Sequence, residues 1–373
     1  GIAAPVPPAT RGGEDPGISV YQPSNLFHLV CLITIIIMPQ ESGAAVEGRY
    51  LSPGCVLCHQ GAKMVLFVTG RCNRGCWYCP LSRERKGRDV IFANEHQVTS
   101  PAGAIEVAES MSALGTGVTG GEPLLEIERV VDYCRALKEH FGPGHQIHLY
   151  TGLAPDEAVL RRLRGLVDEI RLHPPREVWP CILETDYARS AVIARNMGFL
   201  VGIEVPSLPG IDDLAAALPL LDFLNINELE WGETCAAAMR KRGFEPDDGV
   251  HNAVKGARAW AEKISADPKV HFCSSVFKDS VQLRERLKRI ASNTARPFDE
   301  VTDDGTVVYG VLEPDGAVDA FLASLDEDDY TVSGGRIEMA WWVLIEHGAD
   351  LPGKKYVVER YPNNGMIVEV TPL

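Results

Sequence analysis

Apolar positions along the chain follow two alternating periods. From Lys63 to Asn227, apolar runs of strand length alternate with segments in which apolar residues recur at helical spacing, the pattern of successive βα units around a parallel sheet. The runs predict strands at 64–69, 116–119, 146–151, 168–173, 199–205 and 222–227. Between them, Ser100-Pro101 opens a helix as N-cap and first-turn proline, with Ile105, Ala108 and Met111 turned inward. A second helix carries Ile127, Val130, Val131, Cys134 and Leu137 on one face, which reads Cys134 as a small core residue. A third begins near Asp186 and ends at Gly198, a glycine suited to a C-terminal cap.

Beyond Trp231 the pattern changes. A polar segment runs through Gly249, followed by a predicted helix at 251–264 and a strand at 270–274, whose alternation puts His271 and Cys273 on one face. A basic helix follows, in which Asp279 and Gln282 fit a capping box and Leu283, Leu287 and Ile290 form the buried stripe. After Pro297, Asp304-Gly305 between Val301 and Val307 signals a hairpin. A helix near 315–325, an acidic turn at 326–329, a helix at 336–347 and two closing strands around Tyr356–Val358 and Met366–Val370 complete a small α+β unit. The chain is therefore expected to divide into residues 1–37, a lead-in at 38–62, an α/β core with its extension at 63–292, and an accessory domain at 293–373.

Composition narrows this picture. The formal net charge of −15 over 373 residues gives no general attraction to nucleic acid or to an anionic membrane, so only local basic patches could recruit such partners. Residues 1–37 carry five prolines and end in the apolar run Leu26–Ile37, shorter than the ~20 residues that span a bilayer. Translation is expected to begin at Met38, with residues 1–37 an upstream-sequence artefact or a disordered extension, and no membrane partner is expected.

The chemistry gathers at Cys72-Asn73-Arg74-Gly75-Cys76-Trp77-Tyr78-Cys79-Pro80, directly after the first strand. Three thiolates hold three corners of a [4Fe-4S] cube, whereas a fully protein-bound cluster takes four cysteines. One iron stays open to a ligand such as the amino and carboxylate groups of S-adenosylmethionine (SAM). A zinc site would call for paired CxxC or Cys/His motifs, which this spacing does not supply. The ten cysteines in such a setting read as thiols of a reducing cytoplasm rather than as disulfides.

This stretch resembles the signature of the radical SAM superfamily, with Tyr78 as the aromatic residue before the third cysteine. Gly120-Gly121-Glu122-Pro123, at the end of the second strand, resembles the family's second signature, where backbone and carboxylate receive the SAM amino group. The resemblance implies a partial (β/α)6 barrel with its chemistry at the C-terminal strand ends. It also implies a [4Fe-4S] cluster on Cys72, Cys76 and Cys79, and SAM bound beside Tyr78 and Gly120 to Pro123. It implies an electron donor such as ferredoxin or flavodoxin, and reductive cleavage of SAM to a 5'-deoxyadenosyl radical that abstracts a substrate hydrogen. The flank from Leu66 to Ser82 is most similar to the pyruvate formate-lyase activating enzymes, and Cys55 to Leu373 to an archaeal group of their relatives.

Cys55-Val56-Leu57-Cys58 departs from those activating enzymes. With Cys181, Cys235 or Cys273 as further donors it could form a second metal site or cluster, it could be a substrate-facing dithiol, or it could be packed thiols. Tyr150, Thr151, Arg171, His173, Glu204 and Asn225 to Glu228 lie at later strand ends and could line the pocket. Two basic runs, Arg83 to Arg88 and Arg284 to Arg289, favour an anionic substrate, RNA among them, while solvated charges paired with carboxylates are the plainer reading. The activase resemblance favours a protein substrate instead. A non-catalytic iron-sulfur carrier or sensor is the alternative from another class.

Overall fold

The fold is that of a computed structural model, described over residues 50–247 and 252–373. The expected extension at 1–37 and the first part of the lead-in lie outside these residues. The lead-in closes with the short helix α1 (Pro53–His59), whose N-cap Ser52 accepts the Cys55 amide through its hydroxyl, with proline in the first turn.

The main sheet has nine strands: β1 (Lys63–Phe67), β2 (Ile91–Ala93), β3 (His96–Val98), β4 (Gly115–Thr119), β5 (Gln146–Thr151), β6 (Glu169–Leu172), β7 (Leu200–Pro206), β8 (Phe223–Asn227) and β9 (Val270–Cys273). Their order is β3-β2-β1-β4-β5-β6-β7-β8-β9, and every neighbouring pair from β1 through β4 to β9 is parallel. All six expected parallel strands are present, and β9 adds a seventh. It reads as a lone strand because the irregular segment after β8 interrupts the βα rhythm. The antiparallel β2–β3 hairpin was not expected, since two three-residue strands are too short to set up a period. Burial explains the strand sequences: every residue of β1 is buried, as a parallel strand covered on both faces requires. Helices α2 (Pro101–Ser110), α3 (Ile127–Phe141), α4 (Glu157–Leu163) and α5 (Asp186–Asn196) join successive strands, and the Ser100 hydroxyl caps α2 as expected. Cys134 is fully buried in the α3 core face.

The basic helix starts earlier than its capping-box pattern suggests. Three contiguous segments, Ser275–Phe277, a π-helical stretch Lys278–Leu283 and Arg284–Thr294, form one rod whose N-cap is Ser274, its hydroxyl accepting the Phe277 amide. Asp279 and Gln282 therefore sit inside the wide turn, because Ser274 offers a cap one turn sooner.

The C-terminal residues form a second, antiparallel sheet: β10 (Glu300–Val301), β11 (Val307–Glu313), β12 (Tyr330–Ser333), β13 (Arg336–Met339), β14 (Lys354–Arg360) and β15 (Ile367–Pro372). Their order is β12-β13-β11-β14-β15, with β10 on β11. The helix expected at 336–347 is instead strand β13 followed by a helix at Trp341–His347. Gly334 and Gly335, with φ of +57° and +81°, turn the chain tightly enough to pair β13 with β12. The helix near 315–325 is confined to Asp319–Leu322. Among the described residues no helix is long and apolar enough to cross a membrane.

Candidate active site

The parallel strands end together, and the loops beyond them enclose a cavity of about 500 Å³ lined by Cys72, Cys76, Cys79, Gly120 to Pro123, Tyr150, Thr151, His173 and Glu204, among others. Both sequence motifs meet there, joined through their backbones. Gly121 N donates to Thr69 O at 2.6 Å and Glu122 N to Arg71 O at 2.8 Å, tying the turn after β4 to the chain entering the cysteine loop. The approach is so close that a Cβ on Gly120 would stand 2.6 Å from Thr69 O, and one on Gly121 would stand 2.3 Å from Arg71 O. Only glycine admits this seam.

Cys72 is exposed, Cys76 and Cys79 are half-buried, and the Arg74 amide donates to Cys72 Sγ at 3.3 Å. The Arg74 guanidinium reaches across to the Gly152 carbonyl and the Tyr187 hydroxyl, which fixes the middle of the loop. Thr234 donates to Leu81 O at 2.6 Å and fixes its exit. Neither anchor was legible in the sequence, because each partner lies over seventy residues away and neither residue type is unusual in a loop.

Tyr78 is buried, and its hydroxyl lies 3.1 Å from His173 Nε2. His173 Nδ1 lies 2.8 Å from the Glu204 carbonyl oxygen, which only accepts, so Nδ1 carries the proton and Nε2 accepts from Tyr78. Burial pushes the His173 pKa down to about 4, in keeping with this neutral ring. Glu122 differs from the expected carboxylate open to an ammonium group. It is fully buried and already accepts from Leu124 N at 3.0 Å, Thr151 Oγ1 at 2.8 Å and Gly152 N at 2.7 Å. Burial raises its pKa, while those three donors favour the ionised form.

The cavity floor is a buried ionic network. Arg171, expected at the pocket, lies beneath it with only 2% of its surface exposed. Its guanidinium bonds Glu169 and Glu204 at 2.6 Å each, the Tyr150 hydroxyl at 3.0 Å, and Ser52 and Cys55 of the lead-in at 3.1 and 3.5 Å. Burial alone would raise the Glu204 carboxyl, but Arg171, Asn225 and Asn227 outweigh it and hold the pKa down at about 2. Asn225 faces this network, whereas Asn227 and Glu228 reach the cavity wall.

Cys55 is thus a buried thiol against Arg171 and Asn225, and Cys58 lines a separate, smaller cavity. Of the further donors considered for them, Cys181 is exposed in the segment Arg176–Glu184, and Cys235 bonds Gly232 and Met239 beside Pro80 of the cysteine loop. Cys273 accepts from Gln282 at 3.5 Å. Among the described residues no three His, Cys, Asp or Glu side chains converge as a preset metal cage, and this includes Cys72, Cys76 and Cys79, which share a cavity wall. The donor chemistry of those three nevertheless suits an iron-sulfur cube: three soft thiols on one loop, Gly75 between them with nothing within 4 Å of its Cβ position, and the glycine seam alongside.

The cysteine loop at the end of the first parallel strand and the Gly-Gly turn sewn to it define a radical SAM enzyme, and the profile of that superfamily matches residues 66–174. The chain belongs to the radical SAM superfamily, whose cofactors are a [4Fe-4S] cluster and SAM. A Methanocaldococcus jannaschii protein provisionally named a glycyl-radical enzyme activating enzyme is 40% identical over 352 residues, spanning 87% of this chain and 93% of that protein. Residues 305–373 match a domain of unknown function, DUF8061. Among solved structures, SuiB of Streptococcus suis bound to SAM aligns with a TM-score of 0.39 at 10% identity, over 57% of this chain and 50% of SuiB. SuiB bound to its precursor peptide SuiA aligns at 0.38 and 10%, over 65% and 53%. The chain thus spans about half of SuiB, a likeness too slight to argue from.

Proposed function

We propose that Cys72, Cys76 and Cys79 hold the cluster, that SAM lies against Tyr78 and the Gly120–Pro123 turn, and that the substrate is a glycyl position in a protein partner. The observation that carries the site assignment is the backbone seam between the two motifs, which puts thiols and turn on one cavity. When bound, a reduced cluster supplies the electron that splits the SAM sulfonium and delivers a 5'-deoxyadenosyl radical, the species that abstracts hydrogen.

The chain's own residues orient and exclude. Arg74 holds the loop against Gly152 and Tyr187, and Tyr78, fixed by the neutral His173, forms one wall. Glu122 keeps the turn after β4 in shape by binding three donors, so any contact to the SAM ammonium falls to backbone carbonyls of that turn. The Arg171 network seals the floor against water.

The protein-substrate reading is supported by the name of the M. jannaschii relative. An anionic substrate such as RNA has less support. The cavity is lined by four cations, Arg74, Arg85, Lys86 and Lys278, and by four carboxylates, Glu122, Glu204, Glu228 and Glu230. In the basic helix, Arg286 is bound to Glu95, and Arg289 to the carbonyls of Met111 and Ser112.

The test is anaerobic reconstitution with iron and sulfide, then assay of 5'-deoxyadenosine with SAM and dithionite. Product should form and should vanish in Cys72→Ala, Cys76→Ala and Cys79→Ala; a fully active single variant would refute the cluster assignment. A glycyl-radical enzyme from the same genome should then acquire a glycyl electron-paramagnetic-resonance signal. Deoxyadenosine without that signal would remove the partner while leaving the chemistry.

A further inference from the structure

Cys76, Tyr78 and Cys79 line the mouth cavity, but Trp77 does not. Its half-buried ring packs instead on the segment that follows β8. It stacks on Phe244, with centroids 5.0 Å apart and planes 21° from parallel, and the Arg242 guanidinium stands 4.9 Å from its centroid. Trp260 meets Phe244 edge-on at 5.8 Å. The chemistry assigned to the mouth uses none of these four side chains.

The same segment carries charge. At the end of the short helix Ala236–Arg240, Arg240, Lys241 and Arg242 are exposed in succession. Arg242 donates to the Ala238 carbonyl, and Arg240 lies over the Trp231 ring, contacts that leave both charges uncompensated. The cysteine loop comes alongside: Thr234 donates to Cys79 O and Leu81 O, and Arg83 pairs with Glu233 at 3.0 Å. Of the exposed carboxylates at 83–86 and 233–247, Glu233 is taken by Arg83 and Glu245 by Lys255. Among the described residues this leaves Glu84 and Asp247 against Lys86, Arg240, Lys241 and Arg242, none of which is in an ion pair there. The surplus is positive in a chain of formal net charge −15, so an acidic partner is repelled by the protein as a whole and drawn to this face.

We propose that this face docks an acidic one-electron carrier protein and that the electron enters the cysteine loop at Trp77. The inference rests on the assignment of the cluster to Cys72, Cys76 and Cys79. Trp77 adjoins Cys76 in the chain and lies between it and Cys79, so a carrier seated over Arg242 meets an aromatic ring joined covalently to two of the three thiols. Because that ring is off the cavity lining, the carrier sits beside the mouth and leaves it free for SAM and substrate. Encounters of this kind are small and transient, and charge sets their rate.

The experiment is anaerobic stopped-flow reduction of the reconstituted, full-length protein by a fully reduced flavodoxin of negative net charge, read as bleaching of the cluster's visible absorption rather than as turnover. The flavin hydroquinone anion gives up one electron and the cluster takes it up, with no bond made or broken and no proton moved. The rate should fall as ionic strength rises from about 20 to 200 mM, and Arg240→Glu/Lys241→Glu should lower it at least about tenfold at the low-salt end. Reduced methyl viologen, a small cation, should reduce the variant no more slowly than wild type, which shows that its cluster is intact. Binding of the full chain to immobilised flavodoxin, measured before and after reconstitution, should be lost in the variant as well. That binding does not need the cluster, so failure to build one strikes the site assignment while the binding still decides the docking face. Equal binding and equal flavodoxin rates in variant and wild type would overturn the proposal. So would a flavodoxin that binds without reducing a cluster that methyl viologen reduces, since the face would then belong to another acidic partner.

Discussion

One methyl group added at Gly121 strikes the seam on which the site rests. The new Cβ would stand 2.3 Å from Arg71 O and 2.7 Å from Gly70 O, both backbone atoms that no side-chain rotation can move. Restoring ordinary contact near 3.4 Å means parting the two chains by about 1 Å. That strains the Gly121 N–Thr69 O and Glu122 N–Arg71 O bonds, each worth about 1 kcal/mol net. The fold can bear that loss, but the catalysis depends on placement, and a displacement of about 1 Å in a positioned site costs on the order of 100-fold in rate. Gly121→Ala should therefore reduce 5'-deoxyadenosine formation about 100-fold while lowering the urea midpoint only slightly. Gly144→Ala is the control, because nothing lies within 4 Å of its Cβ position in an exposed turn, and it should stay within about threefold of wild type. Anaerobic single-turnover assays with iron quantified in each sample separate rate from cluster loading. A Gly121→Ala enzyme with wild-type turnover would refute the argument that the close approach positions the site.

Three further predictions follow from the floor and the histidines. Arg171→Met leaves Glu169 and Glu204 buried without their partner and should cost about 3–5 kcal/mol in urea unfolding, with partial recovery in Arg171→Met/Glu204→Gln; an unchanged midpoint would mean that water already reaches the floor. Glu122→Gln confronts three donors with an amide and should lower thermal stability and SAM affinity together; loss of SAM affinity alone would point to a direct contact instead. Burial holds the His145 pKa near 4 against 6.5 when unfolded, so between those values the unfolded chain binds the extra proton and stability falls as pH drops, by about 3 kcal/mol at most. His145→Gln should flatten the profile between pH 6.5 and 4, and an unaltered slope would contradict the assignment.

The strands were legible where burial on both faces forces unbroken apolar runs, as in Met64–Phe67. The motif pair was legible because three cysteines on one loop and a Gly-Gly turn at the next parallel strand constrain chemistry and backbone locally. What escaped was set by contacts distant in sequence. The β13 residues Arg336–Met339 carry no decisive period, and their state follows from pairing with β11 and β12. Glu122 reads as an open carboxylate until Thr151 and Gly152, a strand away, are seen to occupy it. Arg171 reads as a strand-end ligand until its depth is known, since a one-dimensional pattern gives a residue's face but not its height in the barrel.

The lead-in can be understood as a stopper. Ser52 and Cys55 reach up from outside the sheet into the charges of Arg171 and Glu169, so the barrel is closed from below by a segment that precedes its first strand. Cleavage between Ser52 and Lys63 would leave every strand and every motif in place, yet open a drain beneath a chamber meant for a species that attacks whatever hydrogen donor it meets. The damage would surface as self-inactivation during turnover, in an enzyme whose resting form still looks intact.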